Sequence, residues 1–275
     1  MSLRINTNVA SFGVQNAMAK SQREIENSMK ALSSGSRFAQ LSTDPASKAI
    51  SEDLKSDLSG MEVARRNAEQ AGSFAAIAEG GMSEQSNLII RMRELAVQAA
   101  SDTYSDSERA FMQNEFSKLQ EEVDRIAQTS AFGSRKLLDG TSTDIDIQVG
   151  TQGDANSRIT FNADTDTTLA GLGVSGITVD DKSAARDALE SLDGGLDKIS
   201  MQRSKYGALQ SRLESVQNFL SSSIENVSGA NSKIADTDLA KEVSNLRKNQ
   251  VLQQYQSALL ATANEQMSNA LRLIA

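Results

Sequence analysis

Residues Gly171-Leu172-Gly173-Val174-Ser175-Gly176 spell G-x-G-x-x-G, the pattern in which a tight turn brings backbone N–H groups against a pyrophosphate. That chemistry needs a strand before the turn and a helix opening on its last glycine. Here Ile177-Thr178-Val179 follows, and Asp180-Asp181 place negative charge beside any anion, so a flexible glycine loop is the expectation. Asp164-Thr165-Asp166-Thr167-Thr168 begins like a calcium loop, but its sixth position is Leu169 instead of Gly and its twelfth Ser175 instead of Glu, which leaves a polar turn. Carboxylates come in pairs at Asp144 and Asp146, Glu121 and Glu122, and Asp180 and Asp181. General acid–base work needs two carboxylates in one concave pocket with separated pKa values, and a narrow helical rod offers no such pocket. The chain has no His and no Cys, which removes histidine bases, thiol nucleophiles, disulfides and nearly all transition-metal sites. No catalytic residue, no metal site and no cofactor are therefore expected, and the chain reads as a non-enzyme. The sequon Asn226-Val227-Ser228 falls on an apolar seam and reads as helix interior.

Composition points to thin seams instead of one wide core. Hydrophobic residues make up 39% and aromatic residues 4% of the chain, with no Trp and one Pro, as in an extended, mostly helical protein. The net charge of −8 is concentrated in the middle, where 139–200 carry twelve Asp/Glu against four Lys/Arg, while both ends are slightly positive. Without a basic stripe no nucleic-acid partner is expected. No run of 18 apolar residues occurs, so no membrane insertion is expected. The first residues open no apolar segment of a Sec-type signal peptide.

Four helical stretches are predicted from 3-4 spacing. The first carries Met61, Ala64, Ala68, Ala71, Ala75, Ala78 and Met82, breaks around Gly80-Gly81, and resumes at Leu88, Met92, Leu95 and Ala99. The second runs through Met112, Phe116, Leu119, Val123 and Ile126 behind a Ser105-Asp106-Ser107-Glu108 capping box. The third runs from Leu189 to Val227, with Arg203 where an apolar residue is due and Gly194-Gly195 weakening its first turns. The fourth is the run 230–275, without Gly or Pro, whose seam includes Leu239, Val243, Leu246, Leu252, Tyr255, Leu259, Ala263, Met267 and Ala270. Ile145, Ile147 and Val149, then Ile159 and Phe161, alternate with polar residues and predict a β-hairpin; 164–181 is expected to be mostly irregular.

The resulting fold class is mainly α: an elongated, coiled-coil-like helical bundle with a small β-hairpin region and paired N- and C-termini. Ordering backbone costs about 1–2 kcal/mol per residue, and a thin seam between two lone helices barely offsets it. The terminal segments are therefore expected to order only when neighbouring copies cover them.

Residues in a shared order carry a family resemblance. At the N-terminal end these are Ile5-Asn6-Thr7-Asn8, Leu32-Ser33-Ser34-Gly35-Ser36-Arg37 and Arg93-Glu94-Leu95-Ala96-Val97-Gln98. At the C-terminal end they are Ser232-Lys233-Ile234, Glu242-Val243-Ser244-Asn245-Leu246 and Gln250-Val251-Leu252-Gln253-Gln254. The chain resembles a bacterial flagellin over nearly its whole length. The resemblance implies a filament subunit for motility, with 1–44 and 231–275 as an inner terminal-helix domain and 45–230 as a central rod carrying the hairpin near 142–180. No outer variable domain is expected. It also implies export unfolded through the flagellar type III apparatus, an export chaperone on 231–275, a filament cap, and a secreted location in the flagellum. Subunit-interface candidates are Val9, Phe12, Val251, Leu252, Tyr255, Leu259, Met267 and Leu271. Many flagellins are ligands of Toll-like receptor 5, and the family's hot spot matches Arg91, Leu95 and Glu115 here.

Ile90 stands where the family has a polar residue before Arg91, and three further departures from the family pattern stand out. Asp44-Pro45-Ala46-Ser47-Lys48 replaces paired Asp with Ala-Ala-Gly, Pro45 suiting the first turn of a helix capped by Asp44. Ala131-Phe132-Gly133-Ser134 replaces a Phe-Asn-Gly turn, and Tyr255-Gln256 replaces Ala-Gly. A hook–filament junction protein and an exported helical adhesin or effector are the alternative readings.

Overall fold

The computed structural model describes residues 8–38 and 44–272, with the side chains of Met267 and of 269–272 outside the described set. Six helices, α1 (Val9–Ser34), α2 (Pro45–Ala99), α3 (Asp106–Thr129), α4 (Leu169–Leu172), α5 (Lys182–Ala235) and α6 (Leu239–Arg272), are formed among these residues. Four strands, β1 (Ala131–Phe132), β2 (Arg135–Lys136), β3 (Ile145–Gln148) and β4 (Arg158–Phe161), make two antiparallel pairs. The chain divides into two compact units, Met1–Ser56 with Asn226–Ala275, and Asp57–Glu225.

In the 57–225 unit, α2, α3 and α5 share one core. Ala68, Ala75 and Ala78 of α2 are fully buried and let the helices approach closely; Phe116 and Val123 of α3 and Leu192, Ile199, Tyr206 and Leu213 of α5 fill the space between them. Contrary to the expected break, α2 runs unbroken through Gly80-Gly81. Gln85 and Ile89, both buried, keep the 3-4 phase between Met82 and Met92. Gly81 is required by a neighbour: a Cβ there would lie 2.8 Å from Ser130 Oγ and 2.9 Å from Leu138 Cδ1. Buried Gln85 donates through Nε2 to the carbonyls of Val123 at 3.0 Å and Thr167 at 3.2 Å, tying α3 and the 163–168 segment to α2. Arg203, at an apolar position of the seam, is accommodated by Glu79 Oε1 at 2.7 Å.

Ser105 and Glu108 form the complete capping box at the start of α3. Arg109 caps the end of α2, donating to the carbonyls of Ala99 and Ser101. In the β3–β4 hairpin Ile147 faces Ile159 and both turn inward. The β1–β2 turn departs from the family sequence yet closes tightly, Phe132 facing Arg135, with Gly133 taking the φ of +63° that side chains disfavour.

In the other unit, α1 and α6 pair antiparallel: Asn8 Nδ2 donates to Ala263 O, Gln253 Nε2 to Gln22 Oε1, and Ser28 Oγ to Glu242 Oε1. The terminal run is two helices instead of one. α5 ends at Ala235 and α6 starts at Leu239 with Asp238 accepting from Lys241 N–H. The intervening residues pair with the end of α1, through Arg37 N–H to Ala235 O and Thr237 N–H to Gly35 O. Pro45 opens α2 as expected, with Asp44 accepting from Ser47 N–H.

Candidate assembly interface

Two helices that pair along a seam usually turn apolar residues inward. The α1–α6 pair does so only in part, with Ile25 buried and Val14, Met18 and Leu32 half-buried on α1. The buried positions of α1 are Ser11, Ser21, Ile25 and Ser28, so three of the four are serines. Along α6 the half-covered positions are both polar and apolar: Glu242, Asn249, Gln250, Gln253 and Gln256 alternate with Leu246, Leu260 and Ala263. Small hydroxyl side chains let the helices approach and bond across, as Ser28 does with Glu242 at 2.6 Å. The apolar seam read from α6 is divided: Leu246 and Ala263 are half-covered, while Leu239, Val243, Leu252, Tyr255 and Leu259 stay exposed.

The interface candidates lie on this uncovered surface. Val9 is 70% exposed, Phe12 57%, Val251 63% and Tyr255 64%, and Leu252 and Leu259 are exposed as well. Leu239, Val243 and Met29 extend the same uncovered set. Sequence spacing marked Leu239 and Val243 as seam residues but gave no sign that they face solvent. The side chains of Met267 and Leu271 lie outside the described residues.

Of the receptor candidates, Arg91 and Glu115 are in direct contact, and Leu95 lies one helical turn beyond Arg91. Arg91 bridges α2 to α3, with Nε at 3.0 Å and Nη2 at 2.7 Å from Glu115 Oε1, and its Nη1 reaches Glu94 at 2.9 Å. The hydrogen bond and charge of Glu115 raise the guanidinium pKa. Arg91 is exposed, while Leu95 is 2% exposed, inside the core, as its place on the apolar seam of α2 leads one to expect. It lies three residues beyond buried Met92 on the inward face of α2, while Ile90 and Val97 are the exposed aliphatics nearby.

The glycine run is not a flexible loop. Leu169–Leu172 form a helical turn closed by Gly173 at a φ of +79°. A Cβ on Gly171 would fall 2.3 Å from Asp166 Cγ, so this glycine accommodates a carboxylate of its own chain. Asp166 in turn accepts from the Thr168 N–H at 2.9 Å. Among the described residues no group of three or more His, Cys, Asp or Glu is placed to hold a metal ion, and no helix is long and apolar enough to cross a membrane.

Fold and surface together define a mainly α protein with an uncovered apolar face on its terminal helices. The family model of the bacterial flagellin N-terminal helical region matches residues 5–143, and that of the C-terminal helical region matches 189–274. The sequence is 34% identical over 273 residues to a flagellin of Halalkalibacterium halodurans, covering 98% of this chain and 99% of that one. It is 33% identical over 285 residues to a flagellar filament core protein of Brachyspira hyodysenteriae, at 98% and 99% coverage. The crystal structure of Bacillus cereus flagellin is similar with a TM-score of 0.51 and 29% identity, over 56% of this chain and 88% of that one. This chain belongs to the bacterial flagellin family and is a structural subunit of the flagellar filament. The junction-protein and adhesin alternatives are not favoured by these matches.

Proposed function

We propose that the chain polymerises by burying the outward apolar face of α1 and α6 between neighbouring copies, and that these two helices gain most of their order as they are covered. The carrying observation is the set of apolar side chains that α1 and α6 leave exposed among the described residues: Val9, Phe12, Val251, Leu252, Tyr255 and Leu259. Burying one such side chain contributes about 1.5–3 kcal/mol. Residues 1–44 with 231–275 then form the inner part of the filament and 45–230 the surrounding rod. Met267 and Leu271 extend the same interface. No chemistry beyond assembly is assigned. Family membership supports type III export, a chaperone on 231–275, growth beneath a filament cap, and an extracellular location.

Leu259→Asp tests the interface. The variant is expected to express with the monomer's helix content intact and to form no filaments, because a charge buried without a partner costs several kcal/mol. Normal motility in that variant would refute the assignment. Amide exchange on the monomer tests ordering: strong protection throughout 239–265 before assembly would contradict it.

Arg91 and Glu115 are proposed as the receptor-facing pair toward Toll-like receptor 5, without Leu95. Arg91→Ala is expected to lower receptor signalling while leaving filaments intact. Signalling at the parent level would remove Arg91 from that role.

A further inference from the structure

The outer edge of β4 is open. In the hairpin Val149 N–H donates to Ser157 O at 2.9 Å, and the ladder pairs Ile147 with Ile159 and Asp146 with Thr160. Hydrogen-bonded and non-hydrogen-bonded pairs alternate along an antiparallel ladder. Counting from the 149–157 pair, the 147–159 pair is bonded and the 146–160 pair is not. The N–H and C=O of Thr160 thus point away from β3, while its hydroxyl donates to Asp146 Oδ1 at 2.6 Å. The edge of β3 is partly closed already, since Asn67 Nδ2 donates to Gln148 O at 3.0 Å.

Beside the β4 edge a groove of about 380 Å³ runs between β4 and α5. Its floor is apolar, from buried Ile159 and Leu209 and half-buried Phe161. Its rim carries Lys205 and Arg212, both exposed and in no ion pair among the described residues. On a chain of net charge −8, two uncommitted cations along one strand edge fix the sign of what that edge attracts. Asp146 does not line the groove, and its carboxylate is held by the Thr160 hydroxyl.

We propose that this edge binds an extended acidic peptide segment of another protein by strand addition. The peptide main chain pairs with Thr160, alternate apolar side chains enter the groove, and carboxylates meet Lys205 and Arg212. A bare strand edge recruits any extended chain, and here the groove and its charge supply the selection. A second copy of this chain is the competing occupant.

The probe is a short end-blocked peptide alternating Glu and Val, titrated onto the full chain at low protein concentration, with a Lys–Val peptide as control. The Glu–Val peptide is expected to bind, to slow exchange of the Thr160 amide, and to lose affinity about tenfold or more in Lys205→Glu/Arg212→Glu. Thr160→Pro is expected to remove strand pairing with the circular dichroism spectrum unchanged, because proline is tolerated where an edge N–H faces outward. Equal affinity for the Lys–Val peptide, unchanged affinity in the double variant, or no binding at millimolar peptide would overturn the proposal. Thr160 protection that rises with concentration of the chain alone would assign the edge to a second copy and overturn it too.

Discussion

Gly80 and Gly81 are neighbours in sequence and opposites in environment. A Cβ on Gly80 meets nothing within 4 Å, whereas one on Gly81 meets Ser130 and Leu138 below 3.0 Å. Both sit inside a continuous helix, where replacing Gly by Ala contributes about 0.5–1 kcal/mol if space allows. Gly80→Ala is therefore expected to raise the unfolding midpoint, and Gly81→Ala to lower it, the clash offsetting the helical gain. Chemical denaturation of the two single variants decides this; a common sign would show that local propensity alone governs the site. Gln85 works at the same scale. Its amide nitrogen holds two carbonyls from different segments, so a polar residue occupies a core position that an apolar seam cannot predict.

Helix α3 depends on its first turn. The Ser105 N–H and Oγ both reach Glu108 Oε2, at 2.7 and 2.8 Å, and Ser105 Oγ accepts from the Glu108 N–H. Ser105→Ala is expected to destabilise the 57–225 unit by about 0.5–2 kcal/mol, measured as a lower denaturation midpoint at unchanged slope. An unchanged midpoint would mean that Arg109 alone holds this turn. The capping box was legible because its residues act within one turn, and the hairpin because alternation by two is distinctive. The seams of α2, α3 and α5 were legible because each faces its own core. The unbroken course of α2 was hidden, since glycine pairs usually interrupt helices and Gln85 masked the phase. The stop at 236–238 is written in Asp236-Thr237-Asp238, a capping signature that ends a helix even in a run without Gly or Pro. The outward face of α6 was illegible, because periodicity gives a stripe and not its direction.

At the scale of the whole molecule, the absence of His leaves no side chain of ordinary pKa titrating between about pH 6 and 8. Stability is expected to be flat across that range. Below it the carboxylates act. Lys182 hydrogen bonding and charge lower the pKa of Asp102, Arg93 does the same for Asp193, and the Ser105 N–H lowers that of Glu108. A carboxylate depressed in the folded state stabilises above its unfolded pKa, and that stabilisation disappears as pH falls through the folded value. The melting temperature is thus expected to hold from about pH 8 to 6 and to fall below about pH 4. These groups are exposed, so each contributes modestly. A melting temperature that rises on acidification would contradict the pairing. The exposed apolar face of α1 and α6 also bears on supply and growth. Under the proposed assembly, a free subunit with apolar side chains of α1 and α6 exposed sits high in free energy relative to one in which neighbours cover them. The gap between the two sets the critical concentration for elongation. Any change that made the free pair self-sufficient would narrow that gap, and each 1.4 kcal/mol gained by the free subunit would demand about ten times more protein to keep a filament growing.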